Sequence, residues 1–277
     1  MLPTPDTSHI PTSLVYDPVE DSYLLLDTFS SDTERTFLKS HFFPSSPIST
    51  STIPLVLELG SGSGVVSAFL AANSRHIFGG EVLCACTDLN PHACRATRET
   101  IAKELMRKRQ GGPNVEGPGE DAKADTGLFL GVSNADLEGP WSRGIVDVLV
   151  FNPPYVPTPA LPSKPEKLRD PVEGRGPSET SPPSFEEEEY FLGLAYAGGY
   201  EGMEVTNRVL EKLGDILSPR GCAYIVLCAQ NHPEQVKERI RAMGADWKAE
   251  TVGSSGKKAG WEKLQIMRAW RENTMHS

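Results

Sequence analysis

The first third of the chain contains an apolar strand that runs directly into a glycine-rich turn and then into an apolar helix. The strand is Leu55-Val-Leu-Glu-Leu59, the turn is Gly60-Ser-Gly-Ser-Gly64, and the helix begins at Val65. Further strands and helices alternate after it, and residues 145–151 are almost continuously apolar, as in a strand buried on both faces. This alternation predicts a Rossmann-like α/β fold, a mostly parallel seven-stranded sheet with helices on both faces.

Composition divides the chain into one folded domain and several polar segments. We predict a flexible leader over residues 1–14, a single domain over 15–270 and a tail over 271–277. Two stretches inside the domain, 107–127 and 163–189, have the low-complexity composition of insertions that cannot bury a core. The first contains five glycines, and the second contains eight acidic residues and five prolines.

Net charge, apolar runs and the cysteine and histidine content indicate which partners, compartment and metal sites to expect. The net charge of −10 makes nucleic acid an unlikely partner, because proteins that bind phosphates usually carry a basic face. No apolar run reaches the roughly 18 residues of a membrane helix, so we expect no membrane partner. The five cysteines lack a Cys-x-x-Cys pair, which favours a reduced, cytoplasmic or nuclear protein. The histidines show no metal-ligand spacing, so no metal site is predicted.

Acidic residues occur in or just after three of the predicted strands. Ligands bind to parallel sheets at the carboxyl ends of the strands. Glu58 lies inside the first strand, Asp88 ends the second, and Asp136 follows the third. Glu58 would repel a pyrophosphate and attract a cation, and Asp88 can accept hydrogen bonds from both hydroxyls of a ribose. Asp136, or its backbone neighbours, can accept one from an adenine amine. The pattern fits S-adenosylmethionine, with S-adenosylhomocysteine as its product.

The tetrapeptide Asn152-Pro-Pro-Tyr155 follows the buried fourth strand. Its two prolines have no N–H, so this loop offers acceptors. The side-chain oxygen of Asn152 and the carbonyl of Pro153 can receive both hydrogens of a planar –NH₂ group, and Tyr155 offers a ring for a flat π-system. We therefore predict that Asn152, Pro153 and Tyr155 are catalytic and orient a nitrogen for methyl transfer.

The residues alone leave several substrates open. A planar –NH₂ occurs in a glutamine side chain and in adenine, and methylation of adenine N6 in DNA or RNA is one alternative. That reaction needs a flipped base and a basic track, and the only tight basic cluster is Arg107-Lys-Arg109. A protein lysine is less natural, because an ammonium is tetrahedral and must first lose a proton. The non-enzymatic alternative is a nucleotide-binding scaffold.

Several motifs together resemble the HemK/PrmC-type N5-glutamine methyltransferases. They are Glu58-Leu-Gly-Ser-Gly-Ser-Gly64, Thr87-Asp-Leu-Asn90 and Val150-Phe-Asn-Pro-Pro-Tyr-Val156. The opening Tyr16-Asp-Pro-Val-Glu-Asp-Ser-Tyr-Leu-Leu-Leu26, with Ala197-Gly-Gly199 and Leu217-Ser-Pro-Arg-Gly221, resembles the eukaryotic branch. The resemblance implies a class I S-adenosylmethionine-dependent methyltransferase fold. It also implies N5-methylation of the glutamine in the Gly-Gly-Gln loop of a class I release factor.

The same resemblance implies which residues bind the two ligands. Cofactor contacts are expected at Ser22, Glu58, Gly60, Gly62, Asp88, Leu89, Asp136, Leu137 and Asn152. Substrate contacts are expected at Asn152, Pro153, Pro154, Tyr155 and Val156. Ser22 stands where threonine is commoner and keeps the hydroxyl. The acidic insertion after the catalytic loop is a departure from the family pattern.

The third strand, Leu128-Phe-Leu-Gly-Val132, normally lies at the edge of the sheet in this fold. If Leu128, Phe129 and Leu130 were exposed there, another chain could add a strand. Coverage by the preceding loop or by a helix is an equal alternative from the residues alone. Eukaryotic members of the family work with a small zinc-binding activator protein that pairs by strand addition. The resemblance therefore implies a heterodimer formed through residues 128–132.

Overall fold

The computed structural model describes residues 2–44, 52–110, 126–166, 184–256 and 263–272 of the 277-residue chain. The strands are β1 Leu55–Leu59, β2 Leu83–Asp88, β3 Leu128–Asn134, β4 Val146–Phe151, β5 Leu217–Leu227, β6 Trp247–Ser254 and β7 Gln265–Arg271. The helices are α1 Glu20–Ser30, α2 Asp32–Phe42, α3 Val65–Ala72, α4 Ser74–Phe78, α5 Pro91–Arg109, α6 Phe185–Tyr196, α7 Glu204–Ile216 and α8 Pro233–Arg241.

All seven strands form one sheet in the order β3-β2-β1-β4-β5-β7-β6. The pairs β3–β2, β2–β1, β1–β4 and β4–β5 are parallel, and β7 runs antiparallel to β5 and β6. This topology confirms the predicted mostly parallel α/β sheet. Because β1 lies between β2 and β4, Leu59 pairs with Thr87 on one side and Phe151 on the other. The glycine turn, Asp88 and Asn152 therefore leave the sheet side by side.

A separate apolar cluster packs on each face of the sheet. One cluster joins α1, α2 and α3 to the side chains of Val56, Val148 and Val226, and the other joins α7 and α8 to Leu57 and Leu149. Neighbouring residues of a strand point to opposite faces, so a strand that is buried at every position must be covered on both sides. Strands β1 and β4 are buried throughout, which fixes them in the middle of three layers.

The described part of the chain contains no helix that is both long and apolar enough to cross a membrane.

The N-terminal residues differ from the predicted flexible leader at 1–14. Ile10 and Leu14 are buried and form a small cluster with Ala93, Ala96 and Phe191. These contacts place the segment against α5 and α6. So short a segment has no periodicity from which this packing could be predicted.

Parts of the two predicted insertions are also ordered. In the 163–189 segment, Ser184 and Glu187 form a capping box that starts α6, and Glu187 is buried. In the 107–127 segment, α5 continues to Arg109, and the N–H of Gly127 donates to the carbonyl of Ala71 at 2.7 Å. Residues 111–125 and 167–183, the middle of each insertion, lie outside the described residues. At the other end of the chain, β7 extends one residue into the predicted tail.

Strand β3 lies at one edge of the sheet and pairs only with β2 among the described strands. Leu128 and Leu130 are 55% and 48% exposed, as predicted for an open edge. Phe129 differs from the prediction, because it is half-buried and packs against the core. Phe129 pairs with Cys84 and packs with it in the cluster that contains Val56, whereas Leu130 is an extra residue where the register between β3 and β2 shifts.

Candidate active site

A cavity of about 270 Å³ opens where β1, β2 and β4 end. All nine predicted cofactor residues line it, namely Ser22, Glu58, Gly60, Gly62, Asp88, Leu89, Asp136, Leu137 and Asn152. Of the predicted substrate residues, Asn152 and Pro154 line the cavity, whereas Pro153, Tyr155 and Val156 are not among the lining residues. The structure therefore brings the sequence motifs together at one place, and their individual roles stay predictions.

The glycine turn between β1 and α3 needs glycine for two separate reasons. Gly60 has φ +62°, a left-handed conformation that L side chains rarely adopt, and no heavy atom lies within 4 Å of where its Cβ would be. Gly64 has φ +76°, and a Cβ there would lie 2.6 Å from the Cα of Thr97. The turn thus presents open backbone to the cavity while α3 packs closely on α5.

Asp88 is fixed by two backbone donors at the end of β2. Its Oδ2 accepts from the N–H of Gly62 and its Oδ1 from the N–H of Asn90, both at 2.8 Å. Burial raises the pKa of the Asp88 carboxyl to about 6. Each carboxylate oxygen has more than one acceptor position, so both can still accept from a ligand. This is the geometry expected for binding a ribose through its two hydroxyls.

We expect Asp88→Ala to weaken S-adenosylmethionine binding by about 2–3 kcal/mol, because it removes two charge-assisted hydrogen bonds. Titration calorimetry measures the change. Asp88→Asn keeps one acceptor oxygen and the shape of the side chain, and should lose less affinity. Wild-type affinity in the alanine variant would contradict the ribose assignment.

Glu58 lies 3% exposed inside β1, directly beneath the glycine turn. Its Oε2 accepts from the N–H of Ser67 at 3.0 Å and from the Ser67 hydroxyl, which tie it to the first turn of α3. Burial raises the pKa of the Glu58 carboxyl to about 8, so the free protein holds it largely protonated at neutral pH. A cationic ligand in the cavity would favour the ionised form.

We expect the affinity for S-adenosylmethionine to rise about 20-fold between pH 6.0 and 7.5, because cation binding must ionise Glu58. Calorimetry in buffers of different ionisation enthalpy should detect proton release on binding. Glu58→Gln should bind more weakly and lose most of this pH dependence. A pH-independent affinity would contradict the role of Glu58 in binding the cation.

In the free protein, the raised pKa of Glu58 stabilises the fold at low pH, and that contribution is lost as the pH rises from about 4.5 to 8.

Asp136 and Leu137 form the wall of the cavity beyond β3. Asp136 accepts a hydrogen bond from Arg208 at 2.6 Å, and both side chains are about half-exposed. Leu137 has φ +51°, a strained conformation for leucine, and its carbonyl accepts from the Thr87 hydroxyl at 2.6 Å. The strained residue is thus held by a buried partner at the site itself.

The catalytic loop contains an unpaired acceptor. Oδ1 of Asn152 is buried and has no hydrogen-bond partner among the described residues. A buried oxygen without a partner is costly, so its presence at a cavity wall indicates that a ligand donor completes it. Tyr155 is not among the residues that line the cavity: its ring packs against the core, and its hydroxyl donates to Oδ2 of Asp21 at 3.3 Å. In this arrangement Tyr155 supports the loop, and its role toward the substrate stays a prediction.

Sequence reasoning missed several lining residues. Asp21, which also accepts from the Ser22 hydroxyl, was not predicted as a site residue, because acidic residues are common in the first turn of a helix. Tyr190 and Leu194 belong to α6, which was not predicted. The carboxylates of the lining are Asp17, Asp21, Glu58, Asp88 and Asp136, and the base among the described lining residues is Arg208. This excess of acid suits the sulfonium and ammonium charges of S-adenosylmethionine and disfavours a pyrophosphate.

Comparisons with known proteins show the family of the chain. No family model matches the chain. Methyltransferase HEMK2 of Mus musculus is 31% identical over 270 residues, covering 96% of this chain and 96% of that protein. The eRF1 methyltransferase catalytic subunit mtq2 of Schizosaccharomyces pombe is 31% identical over 275 residues, covering 98% and 96%.

A solved structure shares the fold. The hMettl16 catalytic domain, in complex with a MAT2A 3′UTR hairpin, aligns with a TM-score of 0.51 at 12% identity, covering 97% of this chain and 76% of that one. This likeness concerns the arrangement of strands and helices. The relatives at 31% identity, which match over almost the full length, show the family. The chain belongs to the HemK/PrmC-type protein N5-glutamine methyltransferases and is an S-adenosylmethionine-dependent enzyme.

Proposed function

We propose that this enzyme methylates the side-chain nitrogen of the glutamine in the Gly-Gly-Gln loop of a eukaryotic class I release factor. The single observation that carries the chemistry is the buried Oδ1 of Asn152 at the cavity wall, which has no hydrogen-bond partner in the described part of the chain. That oxygen needs an N–H donor, and a planar amide brings two. The choice of protein is supported by the relative named eRF1 methyltransferase catalytic subunit.

The residues of the loop would act by orienting the amide. S-Adenosylmethionine supplies the electrophilic methyl group when it is bound. The amide nitrogen is a poor nucleophile because its lone pair is delocalised, and hydrogen bonds from both of its N–H groups to Asn152 and the Pro153 carbonyl would orient it and favour rehybridisation. On methyl transfer to this nitrogen, the C–S bond of the cofactor would break, and the nitrogen would release one of its two protons to solvent. Positioning of this kind contributes several kcal/mol to a transfer.

The substrate loop must enter a narrow cavity, and the glycines before the glutamine suit this. Residues without side chains would let the amide reach Asn152, whereas bulky neighbours would meet the α6 wall formed by Tyr190 and Leu194. The cavity is acidic, which supports a protein substrate over the phosphate backbone that an adenine substrate would bring.

One assay tests the proposal against the alternatives. Labelled S-adenosylmethionine is incubated with the enzyme and a class I release factor, its Gly-Gly-Gln→Gly-Gly-Ala variant, a lysine-rich protein, or duplex DNA. We expect transfer to the wild-type release factor alone. Methylation of DNA or of the lysine-rich protein, without methylation of the release factor, would overturn the proposal. Cofactor binding without transfer to any acceptor would favour the scaffold alternative.

We also propose that the active form is a heterodimer with a small zinc-binding activator protein, which adds a strand to the β3 edge. Two observations support this: Leu128 and Leu130 are exposed, and β3 pairs only with β2 among the described strands. The lone chain is expected to aggregate or to bind cofactor weakly.

The proposed location is cytoplasmic or nuclear, which is supported by five buried, unbridged cysteines.

A further inference from the structure

A glycine-rich turn after α6 lies directly against the backbone of the catalytic loop. A Cβ at Gly198 would lie 2.4 Å from the carbonyl oxygen of Pro154, and one at Gly202 would lie 2.0 Å from the carbonyl oxygen of Tyr155. Atoms cannot approach so closely, so neither position tolerates a side chain without moving the loop. We call residues 197–202 the glycine turn of α6.

Hydrogen bonds fix the two segments in register. The N–H of Val156 donates to the carbonyl of Tyr196 at 3.0 Å, and the N–H of Gly198 donates back to the carbonyl of Val156 at 2.8 Å. The N–H of Thr158 donates to the carbonyl of Gly199 at 3.0 Å. This short ladder begins only at Val156, after the Pro-Pro pair. It holds the outgoing end of the catalytic loop and leaves the reactive end to be fixed in another way.

Asn231, which lies just after β5, forms hydrogen bonds to both the catalytic loop and the glycine turn of α6. Its side chain is 1% exposed, and its Nδ2 donates to the carbonyls of Tyr155 and Glu201, both at 3.0 Å. Its Oδ1 accepts from the N–H of Cys228 at 2.8 Å, which fixes the orientation of the amide. Asn231 is absent from the residues that line the cavity.

The chemistry of the loop explains why an outside donor is needed. Pro153 and Pro154 have no N–H, so the loop cannot anchor itself through these positions. The acceptors proposed for the substrate, Oδ1 of Asn152 and the carbonyl of Pro153, must stay free. Past the carbonyl of Pro154 and the N–H of Tyr155, the carbonyl of Tyr155 accepts a hydrogen bond from Asn231.

We propose that Asn231 is a positioning residue for methyl transfer. It holds the Tyr155 carbonyl against the glycine turn of α6, and thereby sets where Asn152 presents its oxygen, without touching cofactor or substrate. This inference rests on the proposed role of Asn152 as the acceptor for the amide.

The test is Asn231→Asp in the full chain, together with its activator if the wild type requires one. The substitution keeps the shape and the Oδ1 acceptor but places a second oxygen against the carbonyls of Tyr155 and Glu201. We expect kcat to fall about 10- to 100-fold, since a displacement near 1 Å at a reacting group can cost this much. The dissociation constant of S-adenosylmethionine and the KM for the release factor should change less than about threefold.

Asn73→Asp is the matched control. Asn73 is also buried, and its Nδ2 donates to a backbone carbonyl, that of Phe69 at 2.8 Å, but it lies at the end of α3 away from the loop. It should keep the wild-type kcat. Hydrogen exchange at the Val156 amide provides a readout that needs no substrate, and it should be at least about tenfold faster in Asn231→Asp than in the control.

The outcomes separate the two proposals. If the wild type binds cofactor but does not methylate the release factor, the proposed function fails, and hydrogen exchange at Val156 still decides the role of Asn231. Unchanged exchange, a kcat within twofold of wild type, or an equal loss of cofactor affinity would each overturn the positioning role. If Asn231→Asp does not fold, Asn231→Ser, which is smaller and uncharged, undergoes the same measurements.

Discussion

Asn152→Ala is expected to lower kcat by about 10²- to 10³-fold and to weaken cofactor binding only a few-fold. The variant removes a buried acceptor that has no partner within the described protein, so the stability of the free enzyme should change little. The loss appears when the amide enters, because one of its N–H groups then finds no acceptor and the nitrogen is not held in line. A preorganised hydrogen-bonding group at a reacting centre typically contributes this much.

Single-turnover kinetics and calorimetry, made on the same preparation, separate the two effects. Asn207→Ala is the control, since Asn207 lies on α7 and accepts from Arg239 at the surface. It should keep both values. Activity of Asn152→Ala within about tenfold of wild type corresponds to only 1.4 kcal/mol, and it would show that the acceptor role is wrong.

The cofactor side of the site could be predicted from the sequence because it depends on local signals. Glu58, Asp88 and Asp136 belong to strand ends, and a parallel sheet places such ends together whatever the details of packing. The chain order of the strands and the buried pattern of β4 then fix which ends are neighbours. The resemblance to known motifs predicted the remaining residues that line the cavity, and their contacts with the cofactor stay predictions.

The substrate side depends on contacts that no local pattern reveals. Helix α6 begins inside an acidic stretch, where composition predicts no order, yet a capping box and the burial of Glu187 start the helix there. Asn231 is 76 residues from Tyr155 in the chain, and an asparagine two residues before Pro233, where α8 begins, gives no sequence signal for this contact. Such residues gain their roles only from tertiary packing.

The Leu128→Asp/Leu130→Asp double variant is expected to weaken the heterodimer with the activator by about 3 kcal/mol or more, at least a hundredfold in Kd. Both side chains are exposed on the lone chain, so the aspartates stay solvated there. In the complex, strand addition to β3 would cover them and leave unpaired charges in an apolar interface. The structure favours these positions over Phe129, because Phe129 packs inward and its substitution would also destabilise the fold.

Calorimetric titration of the activator into each variant measures the loss, and the melting temperature of the lone chain shows whether the fold is intact. Met243→Asp is the matched control, since Met243 is an exposed apolar residue just after α8, and α8 packs against β6 at the opposite edge of the sheet. It should bind the activator as the wild type does. If the double variant also binds normally, the docking surface is not the β3 edge; if the wild-type chain is monodisperse and fully active alone, it does not need the partner.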